Sequence, residues 1–489
     1  MTNEQQPGST AEIRRSRPQL LIATLALAVM LSAFESSMVY VALPSLLGVF
    51  NVGADQIAWT VTAYLLVSAS SAALGGRLGD LYGRRRVLII VCVLAGLGSI
   101  VSVIGGGLFM LILGRAIQGT AGAVFGLAFG LAREHLPSNR VPVAVSTIGG
   151  SALLAGAAGG LVAGAMLQGF GWHSIFYFSA AFAIFTVVVS LIVLPRDTGT
   201  RTKVQLDLVG AVLMPVAVSA ILLAVSLVQS VGAASITFIG LLLFAVAALV
   251  GWVAWELRVK HPIVNIRLFR HRSVAVPMSS AFLVALGPAG GAAIVLQIIQ
   301  QYPTTAEGGL GLSPAVAGGL GAVAAFIAFG LSPAGGIIAR KYGARSVYIL
   351  AASLMTFPLL LVMFFLGSFW ITMVAVLLVT IGNALGVGAI ANVLFDSVSA
   401  ANSSEITGTS TTVTSIGLSA ATAIAGVVLA FYAAPTTGLI SGTGFVVALG
   451  YMTLIGVLSV ILAAFIPKRS ISEHPIEGFE LVTNLPGTA

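Results

Sequence analysis

Residues 76–86 read GRLGDLYGRRR and place one acid and four arginines between two long apolar runs. Hydrocarbon cannot accommodate so many charges, so this stretch is predicted to form a tight turn outside the membrane between two spanning helices. Gly76 and Gly83 allow close backbone approach and a sharp reversal. Asp80 can cap a helix or pair with an arginine. The arginines expected to lie among lipid head groups are Arg84, Arg85 and Arg86.

A degenerate copy of this stretch lies at residues 336–347, GIIARKYGARSV, at a constant offset of 260 positions (336 − 76). Asp80 is not repeated, because Arg340 takes its place. The chain therefore reads as a duplicated membrane protein whose first half alone retained the charged latch, which consists of Gly76, Asp80, Gly83, Arg84 and Arg85. The positions shared by the two copies are Gly76, Tyr82, Gly83, Arg85 and Val87, which recur as Gly336, Tyr342, Gly343, Arg345 and Val347.

The composition excludes a soluble protein. Of 489 residues, 58% are hydrophobic and 8% are charged, a balance far more apolar than that of soluble domains. The net charge of +8 would suit a nucleic-acid partner, but the positions of the charges indicate orientation in a membrane instead. The single cysteine, Cys92, has no partner for an intrachain disulfide. The sequence contains no Walker loop, metal-ligand cluster or nucleophile–base arrangement, so we expect neither an ATP-driven pump nor an enzyme.

Segments of roughly 20 apolar residues, the length that a bilayer requires, give an expected total of fourteen transmembrane helices. The first of them is long enough to span and is followed by more spans, so we expect it to be a transmembrane helix and not a cleavable signal peptide. The predicted spans are 20–43, 57–76, 87–105, 108–132, 141–167, 173–194, 206–228, 233–255, 273–299, 313–338, 346–367, 369–395, 406–433 and 443–466.

The distribution of positive charge supports this count. With the N-terminus taken as cytoplasmic, every Lys and Arg except Arg115 falls at the inner connections, and the outer connections hold none. A missed or invented helix would invert this alternation from that point onward. We therefore predict an all-α polytopic protein of the cell membrane (inner or plasma membrane) with both termini in the cytoplasm.

The spacing of the two copies predicts the domain organisation. The first charged turn lies between the second and third spans and the second lies between the tenth and eleventh, a shift of eight helices rather than six. A two-helix hairpin is therefore inserted between two six-helix domains, which gives a six plus two plus six arrangement. The predicted divisions are a cytoplasmic tail at 1–18, a six-helix domain at 19–195, the hairpin with its linkers at 196–272, a second six-helix domain at 273–467 and a cytoplasmic tail at 468–489.

Residues 256–272, ELRVKHPIVNIRLFRHR, follow the inserted hairpin and alternate basic and apolar residues. This pattern is typical of a segment that lies on the inner leaflet of a membrane. A charged linker is the equally good alternative.

Glu35 lies in the middle of the first span, within FESSM. An ionisable residue at membrane depth is a functional candidate because its burial is costly. Desolvation disfavours the charged carboxylate, so a group at this depth can be poised to load and lose a proton, as ion-coupled transport requires. The alternative is a carboxylate permanently paired with an arginine.

Arg115, within LILGRAIQGTAGAVFG, is the basic residue predicted at membrane depth. Gln118 follows three residues later and presents an amide on the same helix face. If Arg115 moved toward and away from Glu35, it would link the conformation of the protein to the protonation of the acid. The alternative is a helix-packing charge satisfied by backbone carbonyls.

Polar and small residues elsewhere are weaker signals. Gln297 in the ninth span and Asn383 in the twelfth either line a substrate path or hold helices together. Glycines of the fifth span, GGSALLAGAAGGLVAG at 149–164, permit close helix contact. The predicted cavity residues are Phe34, Met38, Tyr40, Tyr64, Gln118, Gln297 and Asn383, and the predicted packing glycines are Gly159, Gly160 and Gly164.

These motifs together resemble the major facilitator superfamily and, within it, the fourteen-helix drug:proton antiporters. GRLGDLYGRRR matches the family's cytoplasmic latch, and LILGRAIQG matches its helix-four motif, whose arginine and glutamine (Arg115 and Gln118) are tied to proton handling. ESSMVYVALP at 35–44 resembles the first-helix motif of the fourteen-helix subgroup. Trp59 and Tyr64 fit its second helix, and HPIVNIRLFRHRSV at 261–274 resembles the segment after its extra hairpin.

Three departures from the family pattern stand out. Glu35 replaces the expected Asp, which retains the acid and lengthens its reach, and Tyr40 stands where Asn is usual. The fifth-span motif associated with export normally carries a proline, but residues 159–164 read GGLVAG. The direction of transport is the part of the assignment that this change weakens.

The resemblance implies a major facilitator fold and a proton-coupled secondary transporter that exports hydrophobic or cationic drug-like molecules or a metabolite by alternating access. Glu35 and Arg115 would couple protons, and the charged latch would gate the cytoplasmic side. We expect a monomer in the bilayer that needs no cofactor, uses the proton gradient as its energy source and binds no metal. Two alternatives stay open: an importer or uniporter of the same fold, and a non-transporting receptor or scaffold.

Overall fold

The computed structural model describes residues 18–52, 54–196, 235–259, 266–304, 308–397, 403–432 and 440–467, together with scattered positions between 207 and 232. Nearly all of both predicted tails and most of the predicted seventh span lie outside the described residues. All helices, contacts and clusters given for this protein lie within the described residues.

Long apolar runs form the helices of the first half. The predicted fourth span is two helices joined by a tight 3-10 turn at Gly119–Ala123, where the chain presses against its neighbour. A Cβ atom on Gly122 would lie 2.1 Å from the Ser68 carbonyl oxygen, so only glycine allows this approach. The helices are α1 (Pro18–Phe50), α2 (Ala54–Tyr82), α3 (Arg84–Ile104), α4 (Leu108–Gln118), α5 (Val124–His135), α6 (Val141–Phe170) and α7 (His173–Val193).

The helices of the second half follow a peripheral helix whose side chains are mostly exposed, α8 (Ile236–Glu256). The predicted ninth span is interrupted by a π turn at Ala285–Ala289, because Pro288 has no N–H to donate. The Tyr451 hydroxyl donates a 2.7 Å hydrogen bond to the Leu286 carbonyl within this turn. The remaining helices are α9 (Arg272–Val284), α10 (Gly290–Gln301), α11 (Pro314–Tyr342), α12 (Ala344–Phe364), α13 (Phe369–Phe395), α14 (Ser403–Phe431) and α15 (Gly442–Ala463).

Each predicted span except the seventh coincides with a described helix or helix pair. Of the described helical segments, 11 are long and apolar enough to cross a membrane. The prediction of an all-helical, multi-pass membrane protein is therefore confirmed. The total of fourteen spans, the domain boundaries and the cytoplasmic location of both termini stay predictions.

The duplication is visible in the two charged turns. Gly83 ends α2 with φ of 99°, and Gly343 ends α11 with φ of 85°, a conformation that favours glycine. Arg85 Nη2 donates a 2.9 Å hydrogen bond to the Leu191 carbonyl, next to the end of α7. Its repeat counterpart, Arg345, bonds the Ala464 carbonyl at the end of α15 in the same way. The repeated arginines therefore perform the same structural task in both halves.

The halves pack against each other through equivalent helices. The second helix of the first half, α2, packs along α14, the fifth helix of the second half, and α6 and α11 form the reciprocal pair. A two-fold relation between duplicated halves produces this pairing, in which the second helix of each half packs against the fifth helix of the other. It places both helix pairs along the interface where the halves would move.

The halves meet closely at one end of the bundle, which carries the α2–α3 and α11–α12 turns and is called the basic end below. One core cluster there joins Leu131 of the first half to Val274 and Phe395 of the second. A Cβ atom on Gly336 would lie 2.3 Å from the Val143 Cα, across the interface between α11 and α6. Packing of this density closes the basic end.

The halves diverge toward the opposite end. Among the described residues, the other two core clusters each draw on one half alone. A Cβ atom on Gly149 of α6 would lie 2.9 Å from a methyl carbon of Val387 in α13. Two helical turns further along the same face, a Cβ atom on Gly156 would meet nothing within 4 Å. A cleft between the halves therefore opens away from the basic end.

Candidate functional site: a buried acid, arginine and amide

Glu35 lies in the middle of α1 and is 2% exposed. Its Oε1 accepts a long hydrogen bond, 3.5 Å, from Gln118 Nε2. Its Oε2 is buried and has no hydrogen-bond partner among the described residues. Buried carboxyl oxygens are normally hydrogen-bonded, so an incompletely bonded one is a departure that needs an explanation. This geometry leaves one oxygen open to a proton.

Arg115 is the cation of the site and is 1% exposed. Its Nη1 donates hydrogen bonds to the backbone carbonyl of Glu35 at 2.7 Å and to Gln118 Oε1 at 2.8 Å. Its Nε donates to the Thr60 carbonyl at 3.1 Å, and its guanidinium carbon lies 4.3 Å from the centre of the Tyr64 ring. Arg115 thus joins α1, α2 and α4 through backbone carbonyls, and these bonds do not go to the carboxylate of Glu35.

Gln118 connects the acid to the arginine. Besides its contacts with Glu35 and Arg115, its Nε2 donates a 2.7 Å hydrogen bond to Ser99 Oγ in α3. The approach of α3 depends on Gly98, because a Cβ atom there would lie 2.6 Å from the Gly114 carbonyl oxygen. Neither Gly98 nor Ser99 was predicted. The available signal was a GLGS segment inside an otherwise apolar span.

The charged latch holds three helices of the first half together. Arg84 was expected to lie among lipid head groups, but it is buried because it pairs with Asp80 inside the bundle. It donates to Asp80 Oδ1 from Nε at 3.0 Å and from Nη2 at 2.9 Å. Its Nη1 donates to the Gly130 carbonyl at 3.0 Å and lies 3.4 Å from Glu134 Oε2 in α5. Asp80 therefore pairs with an arginine, the second of the two expected roles. The α3 N-terminus has no side-chain cap, and Gly76 is buried in α2.

Arg133 is a candidate gating residue that sequence reasoning missed. Its Nη2 donates a 2.7 Å hydrogen bond to the carbonyl of Phe395, the last residue of α13, and its guanidinium lies 4.8 Å from the centre of that ring. A cation is favourable at a helix C-terminus, where carbonyls lack helical partners, and Asp396 adds a further attraction. Arg133 thus links the two halves at the basic end. In the sequence it looks like any other arginine at an inner connection.

The predicted cavity residues occupy different environments. Phe34 and Met38 are buried, and the Phe34 ring lies 5.2 Å from that of Phe182 in α7. Tyr64 is buried beneath Arg115 and donates a 3.0 Å hydrogen bond to the Ser32 carbonyl. The other candidates differ in exposure: Gln118 is buried, Asn383 is half-buried, and Tyr40 and Gln297 are exposed. Contact of any of them with a substrate stays a prediction.

The three glycines predicted to pack the fifth span also differ. A Cβ atom on Gly159 would lie 2.2 Å from Ser37 Oγ, so α6 and α1 meet closely there. A Cβ atom on Gly160 would have one near neighbour, a methyl carbon of Val41 at 4.0 Å. A Cβ atom on Gly164 would meet nothing within 4 Å. Close packing was expected at all three, but Gly160 and Gly164 lie on the part of α6 toward the open cleft, where a Cβ atom would have free space.

Duplicated helical halves that close at one end and part at the other, around a buried acid and arginine, define a multi-pass membrane transporter. The chain belongs to the Major Facilitator Superfamily, whose sequence profile matches residues 25–422. Members of this family are transporters and not enzymes.

Relatives of known name agree with this assignment. The chain is 26% identical to the tetracenomycin C resistance and export protein of Streptomyces glaucescens over 338 residues, which are 67% of this chain and 60% of that protein. It is 24% identical to the riboflavin transporter RibZ of Clostridioides difficile over 370 residues, 75% of this chain and 78% of that protein. The human organic anion transporter MFSD10 has the same fold, with a TM-score of 0.65 at 15% identity over 92% of this chain and 100% of that one.

Proposed function

We propose that this protein is a proton-coupled antiporter that exports small hydrophobic or cationic molecules across the cell membrane by alternating access. The observation that carries the proposal is Glu35, a buried acid with one long hydrogen bond and one oxygen without a partner. An acid at membrane depth is costly to bury, and such residues mark proton or ion pathways. The export protein among the relatives supports the direction of transport.

The proposed cycle assigns one step to each part of the site. With the basic end taken as cytoplasmic, the cleft described here faces outward. A proton that enters from this side neutralises Glu35 and releases a bound cation or amphipathic molecule. The halves then close around the empty cleft and open at the basic end, where Arg133 must leave Phe395. In the inward-facing state, Glu35 loses its proton and the next substrate binds.

The driving force depends on the charge of the substrate. Each proton that moves inward down a potential of 100 mV releases about 2.3 kcal/mol, enough for a roughly fiftyfold concentration gradient of a neutral substrate. A monovalent cation exchanged for one proton moves no net charge, so only the pH difference would drive it. The protein needs no cofactor for either case, and we propose that it works as a monomer.

An importer of the same fold is the second candidate. The riboflavin transporter among the relatives and the missing fifth-span proline favour it. An importer would move substrate and proton in the same direction, whereas the proposed exporter moves them in opposite directions.

Inside-out membrane vesicles loaded with an acidic lumen separate these functions. With ethidium, a fluorescent hydrophobic cation, as the probe, the proposed exporter should accumulate dye in the lumen as protons leave. A proton symporter would drive dye out of the same vesicles. A receptor or scaffold would leave the dye distribution equal to that of vesicles without the protein.

A negative result with one dye would reflect substrate choice, so the test extends to a panel of cationic and neutral compounds. Proton efflux from the lumen, recorded with a pH-sensitive dye as each compound is added, reports exchange. The proposal is wrong if no compound that the protein transports causes proton movement in the opposite direction.

A further inference from the structure

A groove lined by apolar side chains lies in the second half, apart from the cluster around Glu35. It runs between α9 and α14 next to the 3-10 turn Ile266–Arg270 and has a volume of about 280 Å³. One polar side chain, that of Ser279, is among those that line it. The lining residues are Phe269, Met278, Ser279, Phe282, Leu283 and Val413.

Exposed arginines stand at the basic end of this groove. Arg270 follows Phe269 directly, and Arg272 begins α9. Arg272 precedes Ser279 by seven residues, about two helical turns, so both lie on the same side of α9. Arg267 is also exposed, and its Nη2 donates a 2.9 Å hydrogen bond to the Leu257 carbonyl, which anchors the turn to the end of α8.

The dimensions of the groove match one leaflet of a bilayer. Residues 278–283 follow Arg272 by six to eleven positions, so they lie roughly 9–16 Å from it along the helix axis. The hydrocarbon core of a bilayer is about 30 Å thick, which gives each leaflet about 15 Å. A molecule with a head group at the arginines and an acyl chain in the groove would therefore lie at its natural depth.

We propose that this groove binds an anionic phospholipid from the leaflet at the basic end. Its phosphate contacts Arg270 and Arg272, and one acyl chain lies along the partly exposed side chains of Phe282, Leu283 and Val413. The charge of the turn selects the head group, since residues 266–272 contain three arginines and no acid. A zwitterionic lipid brings its own cation, which the arginines repel. The turn after the inserted hairpin is then the head-group end of a lipid site.

Such a lipid would touch a helix that lies at the interface between the two halves. Val413 belongs to α14, which packs against α2 of the first half. The site is thus placed where the lipid composition of the membrane can influence the transporter. Binding itself can be measured without transport, so the test below is independent of the proposed function.

Native mass spectrometry of the purified, delipidated full-length protein tests the proposal. Phosphatidylglycerol and phosphatidylcholine with identical acyl chains are titrated separately, and we expect the first to bind at least about tenfold more tightly. The double variant Arg270→Ser/Arg272→Ser should weaken phosphatidylglycerol about thirtyfold, which is roughly 2 kcal/mol at about 1 kcal/mol per basic residue. It should leave phosphatidylcholine unchanged.

Two further variants separate the groove from general charge. Leu283→Trp fills the groove and should weaken both lipids, whereas Arg340→Ser/Lys341→Ser removes two charges from the α11–α12 turn and should leave both unchanged. Size-exclusion elution and the thermal midpoint show whether each variant is folded. Equal binding of the two lipids to the wild-type protein would overturn the proposal, and so would an equal loss in the α11–α12 control.

Discussion

Arg115 donates a 2.7 Å hydrogen bond to the main-chain carbonyl of Glu35, while the carboxyl group of that residue is left to Gln118 at 3.5 Å. The arginine is therefore held in place by a group that does not titrate. Glu35 can gain or lose a proton without breaking the bonds that join α1, α2 and α4. A direct ion pair would have tied the helix contact to the charge of the acid.

Replacement of the acid tests coupling directly. Glu35→Gln keeps the size of the side chain but cannot exchange a proton, so we expect proton-driven accumulation of a transported dye to fall at least about tenfold, to the passive level. Glu35→Asp retains the acid and should keep most of the activity. Vesicle assays with an imposed pH difference measure both variants. Normal uphill transport by Glu35→Gln would remove Glu35 from the mechanism.

The pH dependence of substrate binding should have a definite sign. A cationic substrate is attracted by ionised Glu35, so its affinity should fall as the pH is lowered and the acid takes up a proton. Fluorescence titration of ethidium against the purified protein over a series of pH values measures this change. The Glu35→Gln variant should show a flat profile, and a wild-type profile of equal flatness would contradict the prediction.

Lysine should not replace Arg115. The guanidinium of Arg115 donates hydrogen bonds to the carbonyls of Thr60 and Glu35 and to the amide oxygen of Gln118. A lysine ammonium group cannot reproduce this geometry. A buried carbonyl left without its donor costs about 1–3 kcal/mol, so Arg115→Lys should lower the free energy of unfolding by about 2–4 kcal/mol and reduce transport at least about tenfold. Thermal unfolding in detergent and vesicle transport measure the two effects. Arg340→Lys, at an exposed site, is the matched control and should change neither.

Removal of Arg133 should favour opening of the basic end. In a Cys92→Ser background, a single cysteine at Gly160 reports access to the open cleft, and one at Ser146 reports access through the closed end. We expect Arg133→Ala to raise maleimide labelling at position 146 and to lower it at position 160, because the bond to Phe395 is lost. Unchanged labelling at both positions would show that Arg133 has no gating role.

Two glycine substitutions should have opposite effects on stability. A Cβ atom on Gly98 would lie 2.6 Å from the Gly114 carbonyl, so Gly98→Ala should cost about 1–3 kcal/mol and displace Gln118. A Cβ atom on Gly164 meets nothing within 4 Å, so Gly164→Ala should stabilise α6 by up to about 1 kcal/mol through helix propensity. Thermal midpoints of the two variants in one detergent provide the comparison. A destabilised Gly164→Ala would show that the cleft is closed at that level.

Much of the fold could be predicted because hydrocarbon imposes strict rules on the chain. The length of each apolar run predicts a helix, and the second copy of the charged turn predicts the duplication. The equivalent hydrogen bonds of Arg85 and Arg345 in the structure agree with that duplication. Glu35, Arg115 and Gln118 could be singled out because polar groups at membrane depth are rare. The sequence could not tell which atoms of these residues would meet.

The sequence by itself determined a duplicated, helical membrane protein with one deep acid and one deep arginine, because composition, length and charge depend on the order of residues alone. Only the tertiary structure decided that Arg115 bonds the backbone of Glu35, that Arg133 joins the halves, and that the cleft is open at one end. Those facts depend on distances between helices far apart in the chain. Such distances are set by packing at positions such as Gly98 and Gly336, where a single methyl group would not fit.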